Sequence, residues 1–128
     1  MTDGRADTSV FIARESGRHL LEEALPENLA VSVITIGELR AGVLAAPDLA
    51  TRARRLATLT HALTLEPVLV DEAVAEAWAT LRVTLRDRGS WMPVNDSWIA
   101  ATAMALGVPV VTQDDDYVDI PKLQVVHV

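Results

Sequence analysis

Short apolar runs without polar alternation recur along this chain, and segments with helical periodicity separate them. The runs occupy residues 29–33, 67–70, 108–112 and 123–128 and consist mainly of valine and other aliphatic residues. A strand that is apolar at every position is buried on both faces, as in a parallel sheet whose crossover helices cover both sides. The pattern therefore predicts an α/β fold with a central, mainly parallel sheet between helical layers.

The helical segments and the length complete this prediction. Helices are expected over residues 10–13, 19–25, 36–46 and 95–107, after Asp48 as a cap, and between Asp71 as a cap and Gly89. Residues 1–6 are polar and predict only a weak first strand. A chain of 128 residues is expected to form a single domain over residues 1–128.

Composition narrows the classes of function. The net charge of −7 is unlike that of nucleic-acid-binding domains, which are usually basic, unless several of the acids converge on a metal ion. The absence of cysteine excludes disulfides, thiolate metal sites and cysteine nucleophiles, and it fits a reducing cytoplasm. No apolar run approaches the roughly 20 residues that cross a bilayer, so we expect no membrane span and a cytoplasmic location.

Four acidic residues lie where predicted strands give way to helices or loops. Asp7 follows the first strand, and Glu38 lies in the first turn of the helix that follows the second. Asp96 opens a helix behind Asn95, a good N-cap residue, and Asp114 follows the strand that ends at residue 112. Ligands of parallel sheets bind at the carboxyl ends of the strands. Because clustered carboxylates repel one another, and cysteine is absent, a hard ion such as Mg²⁺ or Mn²⁺ is the natural partner.

Each acid also has a purely structural explanation, and the spacing alone leaves these open. Thr35 and Glu38 match a capping box. Asp7 could cap the helix over residues 10–13, and Asp96 could simply complement the dipole of its helix. Residues 114–116 could form a solvated turn.

Four stretches bear on this choice: Ala6-Asp7-Thr8-Ser9, Gly37-Glu38-Leu39-Arg40, Asn95-Asp96-Ser97-Trp98 and Thr112-Gln113-Asp114-Asp115. In this order and spacing they resemble the PIN-domain nucleases and, within them, the VapC toxins of bacterial toxin–antitoxin pairs. The resemblance covers essentially the whole chain. It implies a PIN-like α/β/α sandwich and an Mg²⁺- or Mn²⁺-dependent endoribonuclease that cleaves tRNA, rRNA or other structured RNA and inhibits translation. It also implies a homodimer and a VapB-type antitoxin partner.

The resemblance further implies the site residues. Asp7, Glu38, Asp96 and Asp114 would be the catalytic and metal-binding acids, and Asp116 matches a further acid that some members use. Hydroxyl groups at Thr8 or Ser9 and at Thr112 would support these acids through hydrogen bonds. Arg40 would contact RNA phosphate or pair with a carboxylate, unless it is a surface arginine. The chain departs from the family at Gly4 and Arg5, where an apolar strand usually precedes the first acid.

Alternative interpretations remain at this stage. A catalytically inactive PIN-like binding module would share the fold. A phosphoacceptor domain, like the receiver domains of signalling proteins, also gathers acids at strand ends, but it needs a lysine after a late strand, and Lys122 precedes the last one. Trp78 is expected in the core or a dimer interface. Trp91 is expected to anchor a loop, with base stacking as the alternative.

Overall fold

A four-stranded parallel sheet forms the centre of the protein. The computed structural model describes residues 3–115, 117 and 120–128. The strands are β1 (Asp3–Ala6), β2 (Asn28–Val31), β3 (Val110–Thr112) and β4 (Val125–His127), in the spatial order β2-β1-β3-β4. All three ladders are parallel, which confirms the predicted α/β fold.

Five helices cover the sheet: α1 (Thr8–Ser16), α2 (Val33–Leu44), α3 (Leu49–Leu63), α4 (Glu72–Asp87) and α5 (Val94–Leu106). Two apolar clusters separate the layers. Val111 belongs to the cluster that α1, α2 and α3 cover, whereas the adjacent Val110 belongs to the cluster under α4 and α5. Neighbouring strand residues point to opposite faces of a sheet, so both faces are buried, as the continuous apolar runs predicted.

Side-chain caps fix where several helices begin. Asp48 accepts a hydrogen bond from the Thr51 N–H at 2.7 Å, and Asp71 accepts one from the Val74 N–H at 3.0 Å, which confirms both predicted caps. Gly107 ends α5 in the left-handed conformation, with φ of 68°.

Several predicted boundaries are wrong. Residues 67–70 form only an isolated bridge, between Ser32 and Val68, and Leu69 is 70% exposed, so this run is not a buried strand. The helix predicted over residues 19–25 is reduced to a 3₁₀ turn at Glu22–Ala24. Helix α2 starts at Val33, three residues early, because the Ser32 hydroxyl accepts the Ile34 N–H at 3.1 Å.

No helix within the described ranges has both the length and the apolar character of a membrane span.

Candidate active site

Asp7 lies at the carboxyl end of the central strand β1 and is 1% exposed. Its N–H donates to the Val111 carbonyl at 2.8 Å, which continues the pairing with β3. The Thr112 hydroxyl donates to Oδ2 at 2.9 Å, and the Tyr117 hydroxyl donates to Oδ1 at 2.9 Å. Asp7 occupies the N-cap position of α1, but its side chain makes no capping hydrogen bond. The carboxylate is therefore held by tertiary contacts, and the capping explanation is wrong.

Glu38 reaches towards α1 and α5 from the second turn of α2, because that helix begins at Val33 and not where the sequence predicted. Thr8 Oγ1 lies 2.6 Å from Glu38 Oε1, and Asn95 Nδ2 donates to Glu38 Oε2 across 3.4 Å. The capping-box explanation of Glu38 is wrong, since Ser32 caps the helix and the Glu38 carboxylate binds Thr8 and Asn95. Glu38 is instead positioned by side chains from two other helices.

The cap of helix α5 is not the predicted residue, whereas the acid in its first turn is where the sequence predicted it. Pro93 is the N-cap residue, and Asn95 lies inside the first turn, where its amide binds Glu38. Asp96 is the acidic residue of that first turn and is half-buried. A carboxylate there complements the helix dipole, as predicted, and it also lies at the carboxyl edge of the sheet.

The Tyr117 hydroxyl lies within the electrostatic influence of three of the four predicted acids. Burial raises the pKa of its phenol well above the usual value, and the negative charges of Asp7, Asp96 and Glu38 raise it further. Tyr117 is 6% exposed and is the chain's one tyrosine. Sequence reasoning assigned Tyr117 no role, although a lone tyrosine three residues beyond Asp114 was the available signal.

Hydroxyl groups connect Asp114 to the same site. Its backbone N–H donates to Thr112 Oγ1 at 2.9 Å, and that hydroxyl donates in turn to Asp7. Ser9 Oγ lies 3.1 Å from Thr112 Oγ1 and accepts the Gln113 N–H at 3.0 Å. The predicted hydrogen bonds from Thr8 and Thr112 to the acids are thus present. Asp116 lies outside the described residues.

The carboxylates of Asp7 and Glu38 are chemically suited to bind a divalent cation. Within the described part of the chain, no arginine, lysine or histidine nitrogen lies within 4.0 Å of the carboxylates of Asp7 or Glu38. Their recorded partners are hydroxyl and amide groups, and carboxylate oxygens are ligands that Mg²⁺ and Mn²⁺ prefer. Among residues 3–115, 117 and 120–128, no three acidic or histidine side chains converge as a complete ligand set. The oxygen ligands available here are therefore of the type that such an ion prefers, but the described residues do not form a complete coordination shell.

Three further residues were singled out in the sequence, and none of them has a hydrogen bond or ion pair to the carboxylates of Asp7 or Glu38 within the described residues. Arg40 is exposed on α2. Trp78 is half-buried between helices, because its ring stacks on Trp98 at a centroid distance of 4.3 Å and its Nε1 donates to Ser97 Oγ at 3.0 Å. Trp91 is 75% exposed, so the expectation that it anchors its loop is wrong, and the buried Met92 beside it does so.

Comparisons with known proteins identify the relatives of this chain. Residues 6–123 match the PIN domain family. The chain is 50% identical over 114 residues to Ribonuclease VapC5 of Mycobacterium tuberculosis, covering 89% of this chain and 84% of that protein. It is 48% identical over 123 residues to Ribonuclease VapC4 of the same organism, covering 96% and 95%. A crystal structure of VapBC-5, a member of the VapBC family of toxin–antitoxin systems from M. tuberculosis, superposes with a TM-score of 0.92 at 41% identity over 100% of both chains.

Proposed function

Because the chain belongs to the PIN-domain family and is about half identical to VapC ribonucleases, we propose that it is an endoribonuclease, the toxin of a VapBC-type toxin–antitoxin pair. The observation that carries this proposal is the position of Asp7. It is buried at the end of the central strand, tied to Thr112 and Tyr117, and shares an electrostatic environment with Glu38 and Asp96. Family membership also removes the receiver-domain alternative.

The proposed activity depends on Mg²⁺ or Mn²⁺ held by Asp7, Glu38, Asp96 and Asp114, with Asp116 as a further candidate ligand. When bound, such an ion neutralises charge on the phosphodiester and makes water a better nucleophile. The chain's own groups hold the carboxylates ready. Tyr117 and Thr112 orient both oxygens of Asp7, while Thr8 and Asn95 hold those of Glu38. Such outer hydrogen bonds fix the orientation of ligand groups.

The proposed substrate is tRNA or rRNA, whose cleavage inhibits translation in the cytoplasm. The names of the two relatives support an RNA substrate. The solved relative belongs to a toxin–antitoxin system, which supports a VapB-type antitoxin as partner. We further propose that the free toxin is a homodimer. None of these partners requires contact with a membrane.

The experiment is cleavage of total RNA by the purified protein with Mn²⁺ and, separately, with Mg²⁺, followed by sequencing of the new 5′ ends. We expect defined cuts that EDTA abolishes and that Asp96→Asn reduces by at least about a hundredfold. Asp71→Asn is the matched control, because Asp71 caps α4 and asparagine also caps well. If the wild-type protein binds RNA but yields no new ends with either ion, the inactive binding-module alternative replaces the proposal.

A further inference from the structure

Trp91 presents an indole ring to solvent from an anchored segment. Its side chain is 75% exposed, although the chain has only three tryptophans. The Ser90 N–H donates to the Leu85 carbonyl at 2.9 Å, and Met92, on the other side, is 1% exposed within the core. The backbone that carries Trp91 is therefore fixed at both ends. An aromatic ring held outwards by a fixed backbone is available to stack on a planar group of another molecule.

The position of Trp91 relates it to the candidate active site. It lies in the connection that leads directly into α5, whose first turn carries Asn95 and Asp96. Five residues span at most about 17 Å when fully extended, so the Cα atoms of Trp91 and Asp96 are no farther apart than that. A stretch of a few nucleotides can therefore contact both residues. Val94, between them, is also 57% exposed. The connection thus borders the approach to the acids.

The charge of this segment is opposite to that of the whole protein. Residues 82–91 contain Arg82, Arg86 and Arg88 against one aspartate, Asp87, which pairs with Arg86 at 3.2 Å, so the segment carries net positive charge in a chain of net charge −7. All three arginines are exposed. The Cζ atom of Arg82 lies 5.3 Å above the Trp78 ring, so this helix end already pairs a guanidinium with an aromatic face. A polyanion approaching the acidic site meets favourable charge here.

We propose that Trp91 is a stacking platform for an unpaired base of the RNA, close to the cleaved bond, and that the net positive charge of residues 82–91 attracts the neighbouring phosphates. This inference rests on the proposed ribonuclease function. Aromatic rings combined with positive charge are the usual means of binding single-stranded nucleic acid with little dependence on sequence. Arginine suits the phosphate contacts, since its planar guanidinium forms paired hydrogen bonds with phosphate oxygens.

A second copy of the chain suits this surface less well than RNA does. A two-fold dimer apposes the same patch from both protomers. Self-association through Trp91 would therefore bring two arginine-rich helix ends together, and like charges across an interface are unfavourable. An RNA backbone supplies the opposite charge.

The test uses an Asp96→Asn background and a labelled RNA that spans a mapped cleavage site with that site unpaired. We expect Trp91→Ala to weaken binding about tenfold and Trp91→Phe to retain most of the affinity, because phenylalanine keeps an aromatic face. Leu49→Ala is the matched control, since Leu49 is an 84% exposed apolar residue at the start of α3. Removal of one base near the cut should weaken binding by the Asp96→Asn protein and have no further effect when Trp91 is already alanine.

The outcomes separate this inference from the proposed function. If the wild-type protein cleaves RNA but Trp91→Ala leaves the RNA affinity unchanged, the stacking role is overturned and the proposed function stands. A shift in the oligomeric state of Trp91→Ala by light scattering, without a change in RNA affinity, assigns the surface to self-association and also overturns it. A wild-type protein that neither binds nor cuts RNA overturns both proposals.

Discussion

Tyr117 donates a hydrogen bond to Asp7 Oδ1 across 2.9 Å, and the two residues are 110 positions apart in the chain. Thr112 donates to the other oxygen of the same carboxylate. A buried carboxylate is costly unless its oxygens are hydrogen-bonded. The segment after β3 thus completes the environment of an acid that belongs to β1, and the site forms only when the strands pair.

Tyr117→Phe should destabilise the metal-free protein. The substitution keeps the ring but removes one charge-assisted hydrogen bond to a carboxylate that is 1% exposed. Such a bond contributes about 1.5–3 kcal/mol, so the midpoint of urea unfolding should fall accordingly. Thr112→Val, which removes the second donor, should shift the midpoint in the same direction. An unchanged midpoint in both variants would show that these bonds do not support the fold.

The alkaline titration of the metal-free protein should show no tyrosinate while the chain is folded. Burial and the surrounding carboxylates raise the pKa of Tyr117 above its usual value of about 10. The folded state therefore holds the phenolic proton more tightly than the unfolded state. The resulting stability is complete below pH 10 and is lost as the pH rises above that value. Because Tyr117 is the chain's one tyrosine, absorbance at the tyrosinate band reports on it directly, and a rise preceding the loss of circular dichroism would contradict the prediction.

The sequence predicted the existence of the sheet better than the boundaries of its strands. Continuous apolar runs reflect burial on both faces, which is a property of the strand itself, so β2 and β3 could be found. The run over residues 67–70 looks the same, but after Val68 pairs with the end of β2 the chain turns into α4 with Leu69 exposed. An apolar run in the sequence does not reveal how many of its residues will pair with a neighbouring strand. Boundaries set by pairing were therefore missed.

The positions of the acids at strand ends could be read from the sequence for a similar reason, whereas two of their partners, Asn95 and Tyr117, could not. Acids at strand ends are visible in the sequence because the carboxyl ends of parallel strands meet at one edge of the sheet, whatever the strand order. The hydrogen bond between Thr8 and Glu38 spans 30 residues, and the resemblance anticipated it where the local match of Thr35 and Glu38 to a capping box pointed elsewhere. Tertiary contacts outweighed the local signal in both Glu38 and Asn95.

Arg5→Met should stabilise the protein. Arg5 is 2% exposed, its one recorded hydrogen bond reaches the Val31 carbonyl at 3.5 Å, and its Nε has no partner within the described structure. Burial lowers its pKa to about 10. Replacing an uncompensated buried charge with an apolar side chain of similar length should raise stability by about 1–3 kcal/mol.

Thermal unfolding checks this directly, with Arg5→Lys as the control that retains a charge. The melting temperature should rise by several degrees in Arg5→Met, since about 1 kcal/mol shifts it by roughly 3–6 °C in a domain of this size. It should not rise in Arg5→Lys. A lower melting temperature for Arg5→Met would mean that the guanidinium is better satisfied than its recorded contacts indicate.

Asn95→Ala separates the two explanations of this residue. As an N-cap, asparagine would contribute about 1 kcal/mol to stability, and alanine would forfeit it. In the structure Asn95 lies inside α5 and donates to Glu38 Oε2 at 3.4 Å, so alanine should leave the free energy of unfolding within about 0.5 kcal/mol. RNA cleavage should instead fall several-fold, because Glu38 loses a group that orients it. Asp71→Ala, which removes a true cap, should show the reverse pattern, with lower stability and unchanged cleavage. Loss of stability without loss of cleavage in Asn95→Ala would restore the capping role.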